Sequence, residues 1–163
     1  MKPLTEREIR AAFVNCTKGE AKRLFVPHDL SDRPWDDLDF LGWRDPQAPD
    51  RAYLAVELDG RTVALALRSS GASSWQARRS MCSICLTTHT GGVSLMVAAK
   101  PGRAGQQGNS VGVYLCSDLA CPLYVRGRKD AGAGARMPES LTLEEKVQRT
   151  LANLTAFVAR VTA

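Results

Sequence analysis

Four cysteines fall in two close pairs, Cys82-Ser83-Ile84-Cys85 and Cys116-Ser117-Asp118-Leu119-Ala120-Cys121. Thiolates spaced this way are a ligand set for one tetrahedral zinc ion. Each pair brings two sulfurs from a tight turn or a helix start, and an intervening hairpin folds one pair over the other. Two residues between Cys82 and Cys85 let consecutive backbone N–H groups point at the sulfurs while both thiolates reach the metal. In the second pair, a helix N-terminus favours thiolate over thiol. Four protein ligands close the coordination sphere, which implies a structural ion contributing on the order of 10 kcal/mol or more to folding. His89, four residues past Cys85, is the rival ligand, because three cysteines and one histidine also hold zinc. Disulfide exchange is the other competitor, although the first pair does not open a helix after a strand and a second pair stands ready. Cys16 is left over in a helical pattern, where a free thiol behaves as a small apolar side chain.

A catalytic site needs a histidine and carboxylates converging on a cleft. His28 and His89 are the only histidines, and no acidic residue lies between Asp59 and Asp118. The chain is therefore expected not to be an enzyme. Gly102-Arg103-Ala104-Gly105 matches no phosphate-binding fingerprint and is expected to be a hairpin loop. Charge is uneven: the net value is +5, yet residues 60–138 carry ten Lys/Arg against two Asp/Glu. That basic middle suits an acidic protein partner or RNA. With 163 residues, 44% apolar and 24% charged, the composition is that of one globular domain. No apolar run approaches the roughly 18 residues of a membrane span, and the N-terminus lacks the apolar core of a secretion signal. A cytoplasmic location is expected, where paired cysteines favour metal over disulfides.

The elements that must position the cysteines can be read from caps and periodicity. Thr5–Glu8 and Thr17–Glu20 are capping boxes opening two short helices, the first through about Asn15. Residues 27–52, rich in Pro and Asp but holding Trp35, Leu38, Phe40, Leu41 and Trp43, predict a loop or turn-like helix anchored by its aromatics. Tyr53–Leu58 and Arg61–Leu67 alternate about Asp59-Gly60 as a β-hairpin. A flexible serine-rich stretch from Ser69 to Ser74 and a Trp75–Met81 lead-in precede the first pair. Gly92–Ala99 and Val111–Leu115 predict two strands joined by a polar loop, followed by a short helix from Ser117 to about Val125 and a Gly/Ala-rich basic loop. A third capping box, Thr142–Glu145, opens a long helix whose apolar face is Leu143, Val147, Leu151, Leu154, Val158 and Val161. The order of turn, strand, loop, strand and cysteine-bearing helix is the layout of a treble-clef zinc finger. The fold class expected is α+β, an antiparallel sheet with flanking helices built around that finger. Residues 1–52 form N-terminal helices and the anchored loop; residues 53–163 form the α/β domain, with the finger at about 80–128, all in one compact unit.

Three stretches resemble the FBP family, whose known members include the FusB-type fusidic acid resistance proteins. They are Cys82 to His89, Gly92 to Met96, and Gly112 to Cys121; Trp35 to Arg44 and the hairpin ending at Arg68 look like short members of the same family. The resemblance implies a treble clef with Cys82, Cys85, Cys116 and Cys121 on zinc. It further implies a finger surface that contacts elongation factor G and helps free it from the ribosome. The longer N-terminal helical bundle of the resistance proteins is missing here, so partner binding is the better expectation than drug resistance. Contacts are expected from Ser83, Ile84, Lys100, Arg103, Tyr124, Arg126 and Arg128, with Ile84 and Tyr124 as apolar anchors and the charges governing encounter rate. The alternative reading is a module that binds RNA or the ribosome directly through its basic face.

Overall fold

The computed structural model describes residues 1–69, 79–136 and 138–163. The expected serine-rich stretch beyond Ser69 and the Trp75 lead-in fall outside the described residues. Among those described, five strands form one antiparallel sheet in the order β1-β2-β3-β6-β7: β1 Phe40–Arg44, β2 Arg51–Leu58, β3 Arg61–Ser69, β6 Val93–Ala99 and β7 Ser110–Cys116. A separate small hairpin pairs β4 Arg79–Met81 with β5 Thr88–Thr90. The helices are α1 Glu6–Ala12, α2 Lys18–Arg23, α3 Gly102–Gln106, α4 Cys121–Val125 and α5 Leu143–Thr162.

Alternation along the strands sorts the apolar residues onto two faces. Leu54 and Val56 of β2, Leu65 and Leu67 of β3, Met96 of β6 and Leu115 of β7 share one core with all four paired cysteines. Leu154, Phe157, Val158 and Val161 of α5 close that core. Tyr53, Ala55 and Ala64 point the other way, into a second core with Ile9, Val26, Trp35, Leu38, Leu41 and Trp43. The hairpin turn forms as expected: Asp59 (φ 49°) and Gly60 (φ 74°) are both left-handed, which matches the twist of the flanking strands. All three capping boxes form.

Four local expectations need correction. Residues 27–52 are not only loop, because Phe40–Arg44 is an edge strand in register with β2, Phe40 opposite Val56 and Trp43 opposite Tyr53. The N-terminal part ending at 52 thus contributes a strand to the sheet. Helix α1 stops at Ala12 rather than near Asn15. Phe13 turns extended, Val14 N–H donates to Ala64 O (3.0 Å), and Asn15 exchanges hydrogen bonds with the backbone of Ala66, so the chain leaves the helix to run beside β3. The loop after Lys100 holds the helical turn α3, where a Cβ on Gly105 would meet Lys100 O at 1.9 Å. On α5, Leu143 is half exposed, while Phe157 and Thr150 join the buried face. No helix among the described residues is long and apolar enough to cross a membrane.

Candidate metal centre

The sequence places Cys82 and Cys85 in the turn between β4 and β5, Cys116 at the last position of β7 and Cys121 at the first of α4. Folding brings these four together. All four sulfurs lie within 4.8 Å of one another and all four residues are buried. Cys82 Sγ to Cys121 Sγ is 3.6 Å and Cys85 Sγ to Cys116 Sγ is 3.5 Å. Such separations are far beyond the ~2.05 Å of a disulfide. They come close to the edge of roughly 3.8 Å that follows for a tetrahedron with metal–sulfur bonds of ~2.3 Å.

The first cysteine turn is held by its own backbone. Ile84 and Cys85 N–H both point at Cys82 Sγ (3.4 and 3.5 Å), as the two-residue spacing requires. Cys82 N–H donates to Thr87 O (2.9 Å) and Leu86 N–H to Cys82 O (3.0 Å), closing a turn in which Leu86 is left-handed (φ 60°). Two ties dock it: Ser83 N–H to Tyr114 O (2.8 Å), and Asn153 Nδ2 of α5 to Ile84 O (3.0 Å).

Distant residues hold the second turn. Arg44 at the end of β1 donates from Nε to Ser117 O (2.6 Å) and from Nη1 to Pro49 O (2.7 Å). Ser94 and Ser117 hydroxyls are 2.6 Å apart. Leu119 (φ 55°) is buried under β1 at Gly42, where an added Cβ would meet Leu119 Cβ at 2.3 Å and Leu119 O at 2.8 Å. Glycine is required there by this close approach. Asp118 accepts from Ala120 N–H (3.0 Å), Tyr124 Oη (2.7 Å) and Lys129 Nζ (2.7 Å). Burial works against the Asp118 charge, but those three donors outweigh it and keep its carboxyl below the ordinary range. Because residues 117–120 are consumed by this turn, α4 starts only at Cys121, later than the sequence pattern suggests.

The sulfurs call for a cation. Burial pushes the Cys121 thiol well up, while hydrogen bonds from Cys116, Cys121 and Cys85 pull Cys82 well down. Four thiolates at this spacing repel one another in a dry core unless a positive ion sits among them. His89 is not among the four side chains gathered in the cluster. It is buried on β5, with Nε2 3.3 Å from Cys116 Sγ and its ring edge-on to Tyr124 at 4.6 Å. A ring nitrogen at that distance orients a ligand sulfur from outside the tetrahedron. Cys16 is a free, partly buried thiol whose burial raises its pKa, in keeping with an unreactive side chain.

The expected contact residues divide. Ser83, Arg103 and Arg128 are exposed and Lys100 is half-buried, its Nζ donating to Ala163 O (2.9 Å). Ile84 is 1% exposed and Tyr124 8%, so neither is available as a surface anchor; both pack in the core around the cysteines. Burial and the hydrogen bond to Asp118 also raise the Tyr124 phenol. Arg126 makes a two-pronged ion pair with Asp39 (2.6 and 2.8 Å), mostly shielded from solvent, and fastens the end of α4 to the segment before β1. Arg128 pairs with Asp37 at 3.3 Å. Sequence reasoning gave Gly42, Arg44, Asp118 and Asn153 no role of their own at the metal centre. A glycine between Leu41 and Trp43 in an alternating stretch was the available signal for close backbone approach.

A model of the FBP C-terminal treble-clef zinc-finger family matches residues 8–161. Neither a curated protein nor a solved structure matches the chain.

Proposed function

Because this chain belongs to the FBP family of C-terminal treble-clef zinc-finger proteins, we propose that it is a non-enzymatic zinc protein that binds elongation factor G and modulates translation. Zinc is the ion that four thiolates in a closed, tetrahedrally spaced cage favour. Release of the factor from the ribosome, a contribution to fusidic acid resistance and a cytoplasmic location belong to the same reading.

One observation carries the docking part. With Ile84 and Tyr124 buried, the large apolar side chains exposed on the finger among the described residues are Met81 (41% exposed) and Tyr114 (44%). Exposed Ser83, two residues past Met81, donates its N–H to Tyr114 O and so ties the two segments together. A metal-stiffened edge carrying a methionine and a tyrosine can bind a protein surface with little ordering cost, and tyrosine is a frequent hot-spot residue. Size-exclusion chromatography with purified elongation factor G tests it. Co-elution at micromolar concentration is expected for the zinc-loaded protein, with loss in a Met81→Ala/Tyr114→Ala variant that still holds zinc. Separate elution of the unaltered protein refutes the partner.

A further inference from the structure

On the opposite side of the sheet from the cysteines, a groove of about 800 Å³ runs between α2 and strands β3, β6 and β7. Arg23 of α2, Arg51 of β2 and Arg68 of β3 line it. Arg51 and Arg68 are direct cross-strand partners, so two like charges stand opposite each other, an arrangement that costs stability in a sheet. None of the three is in an ion pair among the described residues. Glu20 is the carboxylate in the lining; Thr17 holds it ionised through two hydrogen bonds, and the charges of Arg23 and Arg51 add to this. Cys16 adds no charge, since burial raises its thiol. Asn15 is spent on the backbone of Ala66 and Ala99. Three guanidiniums against one carboxylate leave a net of two positive charges in an open cleft whose remaining lining is largely apolar, with Leu24, Tyr53 and Val97 in it.

We propose that this groove binds a phosphate monoester or polyphosphate of nucleotide size, gripped by Arg51 and Arg68 with Arg23 closing over it. The volume lies within the ~300–1,000 Å³ range of small-ligand sites. A terminal phosphate carries about −1.5 to −2 charges near pH 7, which matches the two uncompensated charges better than one carboxylate does. Guanidinium forks bind phosphate oxygens bidentately. The ester comes from a free nucleotide or from the 5′-phosphate end of an RNA strand. This site does not depend on the elongation factor reading, because it lies on the other face of the sheet.

Titration of the full-length zinc-loaded protein with ATP, with short 5′-phosphorylated single-stranded RNA, with the same strand bearing a 5′-hydroxyl, and with polyglutamate provides the test. Saturable binding of ATP or of the phosphorylated strand is expected, and whichever binds identifies the source. Arg51→Ala/Arg68→Ala should weaken it at least ~10-fold, as loss of two charge-assisted contacts implies. The same variant should melt no lower than the unaltered protein, since it removes a like-charge pair. Removing equal charge elsewhere, in Arg61→Ala/Arg160→Ala, should weaken binding less than about threefold by screening alone. Failure of both phosphate probes overturns the proposal. So does an equal loss in the control variant, equal binding of the hydroxyl-ended strand, or polyglutamate binding of the same strength and arginine dependence.

Discussion

The two cysteine turns reach the same tetrahedron by different means. The Cys82–Cys85 turn carries most of its geometry in six consecutive residues: two N–H groups on one sulfur and two backbone bonds closing the loop. The Cys116–Cys121 turn has two more residues between its ligands and borrows its shape from elsewhere. It leans on Arg44 and Gly42 of β1, Ser94 of β6, Tyr124 of α4 and Lys129 beyond it. The first is a local motif and the second a tertiary one. Substitutions far away in sequence should therefore damage the second turn selectively.

Loss of a ligand is the largest expected effect and should not distinguish the turns. Cys82→Ser and Cys121→Ser each remove one of four thiolates from a buried cluster. A structural zinc site contributes on the order of 10 kcal/mol or more, comparable to the whole ~5–15 kcal/mol stability of a domain. Both variants should lose stoichiometric zinc by elemental analysis and lose cooperative thermal unfolding. Retention of metal by either one would mean that His89 can move in as a ligand.

Next comes Gly42→Ala, which touches only the second turn. The new methyl meets a side-chain carbon at 2.3 Å and a backbone oxygen at 2.8 Å. Overpacking of this kind costs typically about 1–3 kcal/mol, and contact with backbone places this site at the upper end. Denaturant unfolding should show the loss, and the cobalt-substituted protein should show a shifted thiolate absorption. Ser83→Ala, at an exposed position inside the first turn, should leave both unchanged.

That contrast also explains what the sequence reveals. Cys-x-x-Cys, the three capping boxes and the Asp59-Gly60 hairpin are legible because each is settled by residues within five positions of one another. The α+β class and the four-cysteine cluster follow from them. Strand β1 is not legible, because Pro34, Asp36, Asp37, Asp39 and Gly42 mask a strand whose partners lie eight to sixteen positions away. Ile84 and Tyr124 look like surface anchors because a short turn and a short helix usually expose their middles. Here both are buried in the core that α5 helps close, with Asn153 donating to Ile84 O, and nothing near them in sequence announces that the helix starting at Leu143 packs there.

Asp118→Asn gives a smaller, pH-dependent test of the tertiary turn. Donors from Ala120, Tyr124 and Lys129 hold the carboxyl below its ordinary range despite burial. A depressed carboxyl stabilises the folded state above its unfolded pKa of ~3.9, and the contribution disappears as pH falls through the folded value. The group is over a third exposed, so solvent screening reduces the contribution to about 1 kcal/mol. Stability of the unaltered protein should exceed that of the variant by this amount above about pH 5. The two should converge in more acidic solution; a gap independent of pH would assign the effect to packing instead.

The smallest effect is expected at the left-handed residue of the local turn. Leu86 (φ 60°) pays the cost of that conformation, about 1–2 kcal/mol for a residue with a side chain. Leu86→Gly removes the strain but loses about 0.5–1 kcal/mol to backbone entropy and some burial of a half-exposed side chain. The terms nearly cancel, so thermal unfolding and zinc content should barely change. Leu119 has almost the same φ (55°) but is 1% exposed in the core. There a glycine relieves the same strain while opening a cavity that costs about 2–5 kcal/mol. If Leu86→Gly proved as damaging as Leu119→Gly, the first turn would depend on tertiary packing as much as the second does, and the distinction between them would fail.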